Sequence, residues 1–106
     1  MAWEIKYHPL AKEELAKLDG SVRKIVLKGI IKVSANPRPQ SKGGYGKPLG
    51  NKGTNDLTEL LKIKYRDIGI RVVYKLMEDE KSHQVYILVI SVRADNELYD
   101  LSGKRK

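Results

Sequence analysis

Trp3, Ile5 and Tyr7 alternate with Glu4 and Lys6, a period of two that predicts a half-buried strand. The period then lengthens. Pro9 suits the first turn of a helix, where its missing N–H is not needed. Leu10, Ala11, Leu15 and Leu18 fall on one helical stripe, with Gly20 at its C′ position. Ser21 is placed to cap a second helix, in which Val22, Ile25, Val26, Ile30 and Val33 are spaced for burial and Arg23, Lys24, Lys28 and Lys32 lie outside. Asn36-Pro37 stops it. With so short a connection at Asp19-Gly20, the two helices should form an antiparallel hairpin. Residues 36–56 keep no period; with five of the nine glycines and three of the four prolines, they read as a flexible basic loop. Neither phosphate-cradling pattern fits there. "GYGKPLG" is one residue too long for G-x-G-x-x-G, and Pro48 follows Gly46-Lys47 where a P-loop needs Ser or Thr.

The period of two returns in "LLKIKYRDIGIRVVYKL", residues 60–76. Leu61, Ile63 and Tyr65 alternate with Lys62, Lys64 and Arg66, and after a turn Arg71, Val73 and Lys75 alternate with Val72, Tyr74 and Leu76. A loop of Asp67 to Ile70, or of Ile68-Gly69 alone, sets opposite residues at numbers that sum to 137. Arg66 then faces Arg71, Lys64 faces Val73 and Lys62 faces Lys75, all on one side. Leu61, Ile63, Tyr65, Val72, Tyr74 and Leu76 take the other side, which must be the core. "EDEKSH" is a polar turn, "QVYILVISV" an interior strand apolar on both faces, and "RADNELYDL" a turn into a short terminal helix or coil. Residues 102–106 should be frayed. The order is strand, helix, helix, three strands, in one α+β domain over 1–106 with no internal repeat and no linker.

Charge sharpens this picture. Residues 21–75 carry thirteen Lys or Arg against three acids, within a chain of net charge +8. Such a bias favours a polyanionic partner, either nucleic acid or an acidic protein. On the hairpin, Lys62, Lys64, Arg66, Arg71 and Lys75 share a face with no acid among them, although like charges on facing strands are mildly destabilising. Lysines that discourage edge-to-edge aggregation would explain one or two of these cations, not five. An anion site explains the set better. Lys42, Lys47 and Lys52 in the loop extend the basic surface.

Other chemistries are poorly served. There is no cysteine, so neither a disulfide framework nor a thiolate metal site can form. His8 precedes a helix and His83 lies in a polar turn, without metal-ligand spacing; no metal or cofactor is expected. No Ser-His-Asp or Cys-His arrangement can be assembled, and Glu78, Asp79 and Glu80 read as a solvated turn rather than paired catalytic carboxylates. The first residues lack the apolar core of a signal peptide, and no apolar run is long enough to span a bilayer. A soluble protein of the cytoplasm is expected.

The N-terminal strand, the helical hairpin ending in "NP", the loop with "PLG", the lysine-rich hairpin with "RVVY" and the closing "VISVRADNELY" together resemble the RelE/ParE toxin superfamily of type II toxin–antitoxin systems, over nearly the whole chain. The RelE branch is the nearer one. The resemblance implies a small, twisted, mainly antiparallel sheet with the helical hairpin on one face and the active site on the other. It implies a ribosome-dependent mRNA endonuclease that needs no metal and is held inactive by an antitoxin. The free toxin is then expected to be a monomer, with a higher-order complex when the antitoxin binds. The paired lysines of the family's K-x-K strand match Lys62 and Lys64. The arginine opening the next strand matches Arg71, the arginine after the last core strand matches Arg93, and the tyrosine six residues on matches Tyr99. Arg66 also has a counterpart. The ParE branch, which inhibits DNA gyrase by binding, typically lacks this full set. A detoxified module that only binds nucleic acid or antitoxin is the other alternative.

These residues suit attack of an RNA 2′-hydroxyl on the adjacent phosphorus. An unperturbed lysine is a poor base at neutral pH, and crowding among cations disfavours its charged form. The expectation is therefore a base at Lys64, or alternatively Lys62, with Arg71 and the other lysine holding the phosphorane. Arg93 would assist the leaving group and Tyr99 would stack on the base of the cleaved nucleotide.

Overall fold

The loop after the first strand shows how local chemistry starts the fold. His8 caps a helix through Nδ1, which accepts the Leu10 N–H at 3.1 Å, and Pro9 follows as the first helical residue. The computed structural model describes residues 3–52, 55–92 and 95–105, with side chains described throughout except at 50–59, 95–97 and 99. Strand β1 (Glu4–Tyr7) leads into α1 (Pro9–Ala16) and α2 (Gly20–Ser34). A 3-10 turn (Gln40–Lys42) precedes β2 (Lys47–Lys52), β3 (Asn55–Tyr65), β4 (Ile70–Glu78), β5 (His83–Ser91) and α3 (Asp95–Arg105). The five strands form one sheet in the order β1-β5-β4-β3-β2. Only β1 and β5 run parallel.

Several local expectations change. The second helix is capped by Asp19, whose carboxylate accepts from the Ser21 N–H at 3.3 Å and the Ser21 hydroxyl at 2.6 Å. Those bonds hold the Asp19 carboxyl below its ordinary range. Gly20 is therefore the first residue of α2, and α1 stops earlier, at Ala16. Residues 36–56 are not simply a loop, because the second half is the edge strand β2 and the first half is knitted together. Tyr45 N–H donates to Asn36, Gly46 N–H to Arg38 and Gln40 N–H to Gly46, at 2.9–3.0 Å. Residues 102–105, expected to fray, complete α3.

The hairpin keeps its predicted faces but not its register. Tyr65 pairs with Ile70, Lys64 with Arg71, Lys62 with Val73 and Leu60 with Lys75, so facing numbers sum to 135. Arg66 to Gly69 form a four-residue turn, and Gly69 takes the positive φ of 67° that closes it. A slip of two residues preserves parity. Leu61, Ile63, Tyr65, Val72, Tyr74 and Leu76 still turn toward α1 and α2, where Ala11, Val26, Ile30 and Val33 complete the main core.

α2 approaches the sheet closely at one point. Gly29 has no side chain, and a Cβ there would sit on the Tyr65 hydroxyl. That hydroxyl donates to the Val26 carbonyl at 2.7 Å. The cost of about 1 kcal/mol for glycine inside a helix is thus offset by a half-buried phenol with a partner. Tyr74 does the same for the loop, donating to the buried Pro37 carbonyl at 2.8 Å. Tyr74→Phe should therefore cost about 1–3 kcal/mol in a denaturant titration, the usual penalty for an orphaned buried acceptor.

Burial pushes both phenols well above their ordinary value, and Tyr7 adds to the effect at Tyr65. The unfolded chain releases these protons near pH 10 while the folded chain retains them. Their contribution to stability is complete below about pH 10 and is lost as pH rises further. Alkaline unfolding should accordingly be shallower in Tyr65→Phe than in wild type.

The second face of the sheet is not open throughout. Leu49, Leu60, Val73, Leu88 and Val89 form a smaller core there beneath Leu98 of α3. A bulge in β5 permits this: Val73 pairs with Val89 but Tyr74 pairs with Ile87, so Leu88 is an extra residue. The extra residue reverses the alternation. Val85 and Ile87 enter the main core before it and Ile90 after it, which is why the strand reads as apolar on both faces.

Candidate functional site

A row of polar side chains crosses the sheet at the turn end of the β3–β4 hairpin. Lys64 on β3 lies opposite Arg71 on β4, and Arg71 lies opposite Ser91 on β5. Directly opposite residues share a face, with Cα atoms about 4.5–5.5 Å apart. In the next row Lys47 of β2 faces Lys62, and Lys62 faces Val73, whose side chain is buried in the smaller core. Lys62 and Lys64 are two residues apart on one strand, about 6.6 Å. The fold thus gathers Lys47, Lys62, Lys64 and Arg71 on a contiguous patch bounded on one side by apolar residues under α3. Lys64 is exposed, while Lys62 and Arg71 are half-buried.

Two expected members stand apart. Lys75 faces Leu60 and Tyr86 in a third row, beyond Val73, with Nζ 5.6 Å from the centroid of the Tyr86 ring. Arg66 belongs to the turn, beside Lys64 in a hollow that Ile25, Asp67 and Ile68 help to line. Its expected facing position opposite Arg71 belongs to Lys64 instead, because the four-residue turn spans Arg66 to Gly69 rather than Asp67 to Ile70.

The loop lysines separate as well. Lys42 is exposed on the 3-10 turn, whereas Lys47 starts β2 and joins the patch. Lys52 ends β2, about 17 Å along that strand, and its side chain lies outside the described ones. Arg93 lies outside the described residues; Tyr99 lies on α3, with its side chain outside the described ones.

The electrostatics of this patch can do three things. Its ammonium and guanidinium groups can neutralise phosphate oxygens, orient a phosphodiester, and stabilise the extra charge of a pentavalent phosphorus. The two histidines are engaged elsewhere. His8 caps α1, and His83 contacts Glu78 at 3.1 Å and stacks edge-on to Trp3 at 4.9 Å. Glu78, read from sequence as part of a solvated turn, also takes two hydrogen bonds from Arg38, at 2.9 and 3.3 Å, which hold its carboxyl below the ordinary range. Among the described residues no group of three or more His, Asp or Glu could hold a metal ion, and no helix is long and apolar enough to cross a membrane.

Sequence reading passed over Tyr45 and Lys32, which stand beside this patch. The available signal was the run "GGYGK", an aromatic residue flanked by glycines inside a basic segment.

Comparison with known proteins places the chain as follows. No protein-family model matches it. The mRNA interferase toxin RelE of Escherichia coli strain K12 is 33% identical over 107 residues, covering 99% of this chain and 98% of the relative. The mRNA interferase RelE of Shigella flexneri is identical to the same extent. Among solved structures, a variant of E. coli toxin RelE in the free state matches with a TM-score of 0.72 and 25% identity, over 99% of this chain and 98% of that one. The intact E. coli RelBE toxin–antitoxin complex matches with a TM-score of 0.65 and 22% identity, over 88% and 99%.

Proposed function

Since the chain belongs to the RelE family of mRNA interferase toxins, we propose that it cuts mRNA on the ribosome and is restrained by a cognate antitoxin. It is the toxin of a type II toxin–antitoxin system and an endoribonuclease. The observation that carries the cleavage reading is the row in which Lys64 faces Arg71 with Lys62 one row away. The cytoplasm is the compartment in which ribosome and mRNA meet this protein.

The proposed step needs no redox partner. The 2′-oxygen bonds to the adjacent phosphorus as its proton passes to Lys64, or to Lys62 in the alternative assignment. Arg71 and the remaining lysine neutralise the phosphorane. The bond from phosphorus to the 5′-oxygen then breaks, and that oxygen takes a proton. The products are a 2′,3′-cyclic phosphate and a 5′-hydroxyl. Arg93 as the group assisting the leaving oxygen, and Tyr99 as the stacking platform, are proposed on the family resemblance.

The test is cleavage of mRNA in programmed ribosomes by the purified toxin, with end-group analysis of the fragments. Cyclic phosphate ends are expected. Folded protein that leaves mRNA intact would overturn the reading. Saturating antitoxin should abolish cleavage, and because the patch is cationic the toxin–antitoxin complex should weaken as salt rises. A saturated complex that still cleaves at full rate would show that the antitoxin acts elsewhere than on the RNA face.

A further inference from the structure

β2 follows β3 only as far as the pair Lys47–Lys62. Beyond it the chain turns away through Tyr45 and Gly46, and among the described residues no strand pairs with that edge of β3. A cavity of about 220 Å³ opens into this gap, walled by Gly29 and Lys32 of α2, Tyr45, Lys47, Lys62 and Lys64. Its floor is apolar, from Val33 and Ile63. Four lysines thus surround one small hollow that no acidic residue lines.

Tyr45 is half exposed, and the Lys32 ammonium lies 5.7 Å from the centre of its ring. The ring is presented by a fixed scaffold. The Tyr45 N–H is bonded to the Asn36 carbonyl at 3.0 Å, and the loop is pinned to the core through Tyr74 and Pro37. A flat aromatic face held in place beside several cations matches the two needs of an unstacked nucleotide, a surface for the base and counter-charge for its phosphates. The volume is below that of pockets for whole small-molecule ligands, about 300–1,000 Å³, and suits one base or sugar of a longer chain. Lys64 belongs both to this hollow and to the row with Arg71, so a strand lying over the cleavage patch continues into it.

We propose that this hollow is a nucleotide subsite. One nucleotide of RNA seats its base against Tyr45, with the flanking phosphates on Lys32 and Lys47, next to the position of cleavage. The proposal rests on the RNA-cleaving reading above and adds Lys32 and Tyr45 to the residues that grip RNA. Messenger RNA and ribosomal RNA offer the same chemistry, and the experiment separates them.

Ribosomes are programmed with an mRNA that carries a 2′-deoxy sugar at the cleavage position, which prevents attack, and 4-thiouridine at its neighbours. Toxin is bound and irradiated, and crosslinks from Tyr45 are mapped. A crosslink to the labelled mRNA identifies the strand under attack as the occupant; no such crosslink, together with weakened half-saturation in Tyr45→Leu, assigns the contact to ribosomal RNA and overturns a subsite for the cleaved strand. In parallel, cleavable mRNA is used to compare wild type, Tyr45→Leu, Tyr45→Phe and Lys32→Gln in single-turnover cleavage, with toxin concentration varied. Tyr45→Leu and Lys32→Gln should each raise the half-saturating toxin concentration by about tenfold with little change in the limiting rate, and Tyr45→Phe should restore binding. Unchanged half-saturation without any RNA crosslink overturns the subsite, as does a loss confined to antitoxin binding. Failure of wild type to cleave would instead sink the RNA-cleaving reading itself, so the two failures are distinct. Thermal melts of all variants exclude misfolding as the cause of any loss.

Discussion

Lys64→Ala is expected to cleave mRNA in programmed ribosomes at least about a hundredfold more slowly than wild type while remaining fully folded. General acid–base groups are typically worth about 10²–10⁴ in rate, and a phosphorane contact is worth a comparable amount. The fold should tolerate the change because Lys64 is exposed and its facing residue is Arg71. Removing one of two facing like charges is neutral or slightly stabilising. Lys75→Ala is the control. Lys75 lies four residues from Arg71 on β4, about 13 Å, with the buried Val73 between them, so near-normal cleavage is expected. Lys64→Arg separates the two roles. Arginine keeps the charge but cannot give up its proton, so it should restore a phosphorane contact and fail to restore a base. Equal rates for Lys64→Ala and Lys75→Ala would reduce the patch to an electrostatic landing surface.

Much of this site could be read before the fold was known, for a physical reason. Side chains on a strand alternate strictly, so the faces of β3 and β4 follow from the order of lysines and apolar residues whatever the loop length, provided that length keeps parity. Lys62, Lys64 and Arg71 were therefore placed together correctly, while the partner of each was missed by two residues. What decides between 137 and 135 is where the turn sits, and Gly69 with its φ of 67° closes it at Arg66–Gly69 rather than Asp67–Ile70. β2 was hidden because "KPLGNK" is short, polar and interrupted by Pro48; its strand character comes from pairing with β3 rather than from its own pattern. The smaller core left a trace that went unused. Val73 is apolar on the cationic face, and Leu60 and Leu98 supply its partners from 13 residues upstream and 25 residues downstream.

Arg105→Ala is expected to cost about 3 kcal/mol, roughly 10–20 °C in melting temperature for a domain of this size. Arg105 grips both oxygens of Glu14, at 2.7 and 3.2 Å, and donates to the Leu88 carbonyl at 2.9 Å. Glu14 in turn accepts the Ile90 N–H at 3.1 Å. β1 covers β5 only as far as the pair Tyr7–Ile87. The ion pair therefore satisfies backbone groups of β5 beyond the end of its strand neighbour, while fastening α3 to α1. The Arg105 side chain is only 9% exposed and that of Glu14 24%, so removing one partner strands a charge with little access to water. The estimate sits at the lower end of the range for buried pairs because Glu14 retains part of its hydration. The double variant Glu14→Ala, Arg105→Ala should lose less than the sum of the two single changes. Lys104→Ala, one residue earlier and exposed, should melt like wild type. A melt of Arg105→Ala within about 1 °C of wild type would show that α3 is held by Leu98 and its apolar neighbours alone.

The parallel pairing of β1 with β5 sets Glu4 opposite Gln84, joining strands about 80 residues apart. Contacts of such long sequence separation form slowly, and here the first strand made must wait for the last strand of its sheet. At about 5–20 residues per second, that wait during synthesis is on the order of 4–16 s. The row from Lys64 through Arg71 to Ser91 needs β5 as well. A nascent chain therefore carries Lys64 and Arg71 about 20–27 residues, or roughly 1–5 s of synthesis, ahead of Ser91, and the row that would hold a phosphodiester closes only once β5 has joined the sheet.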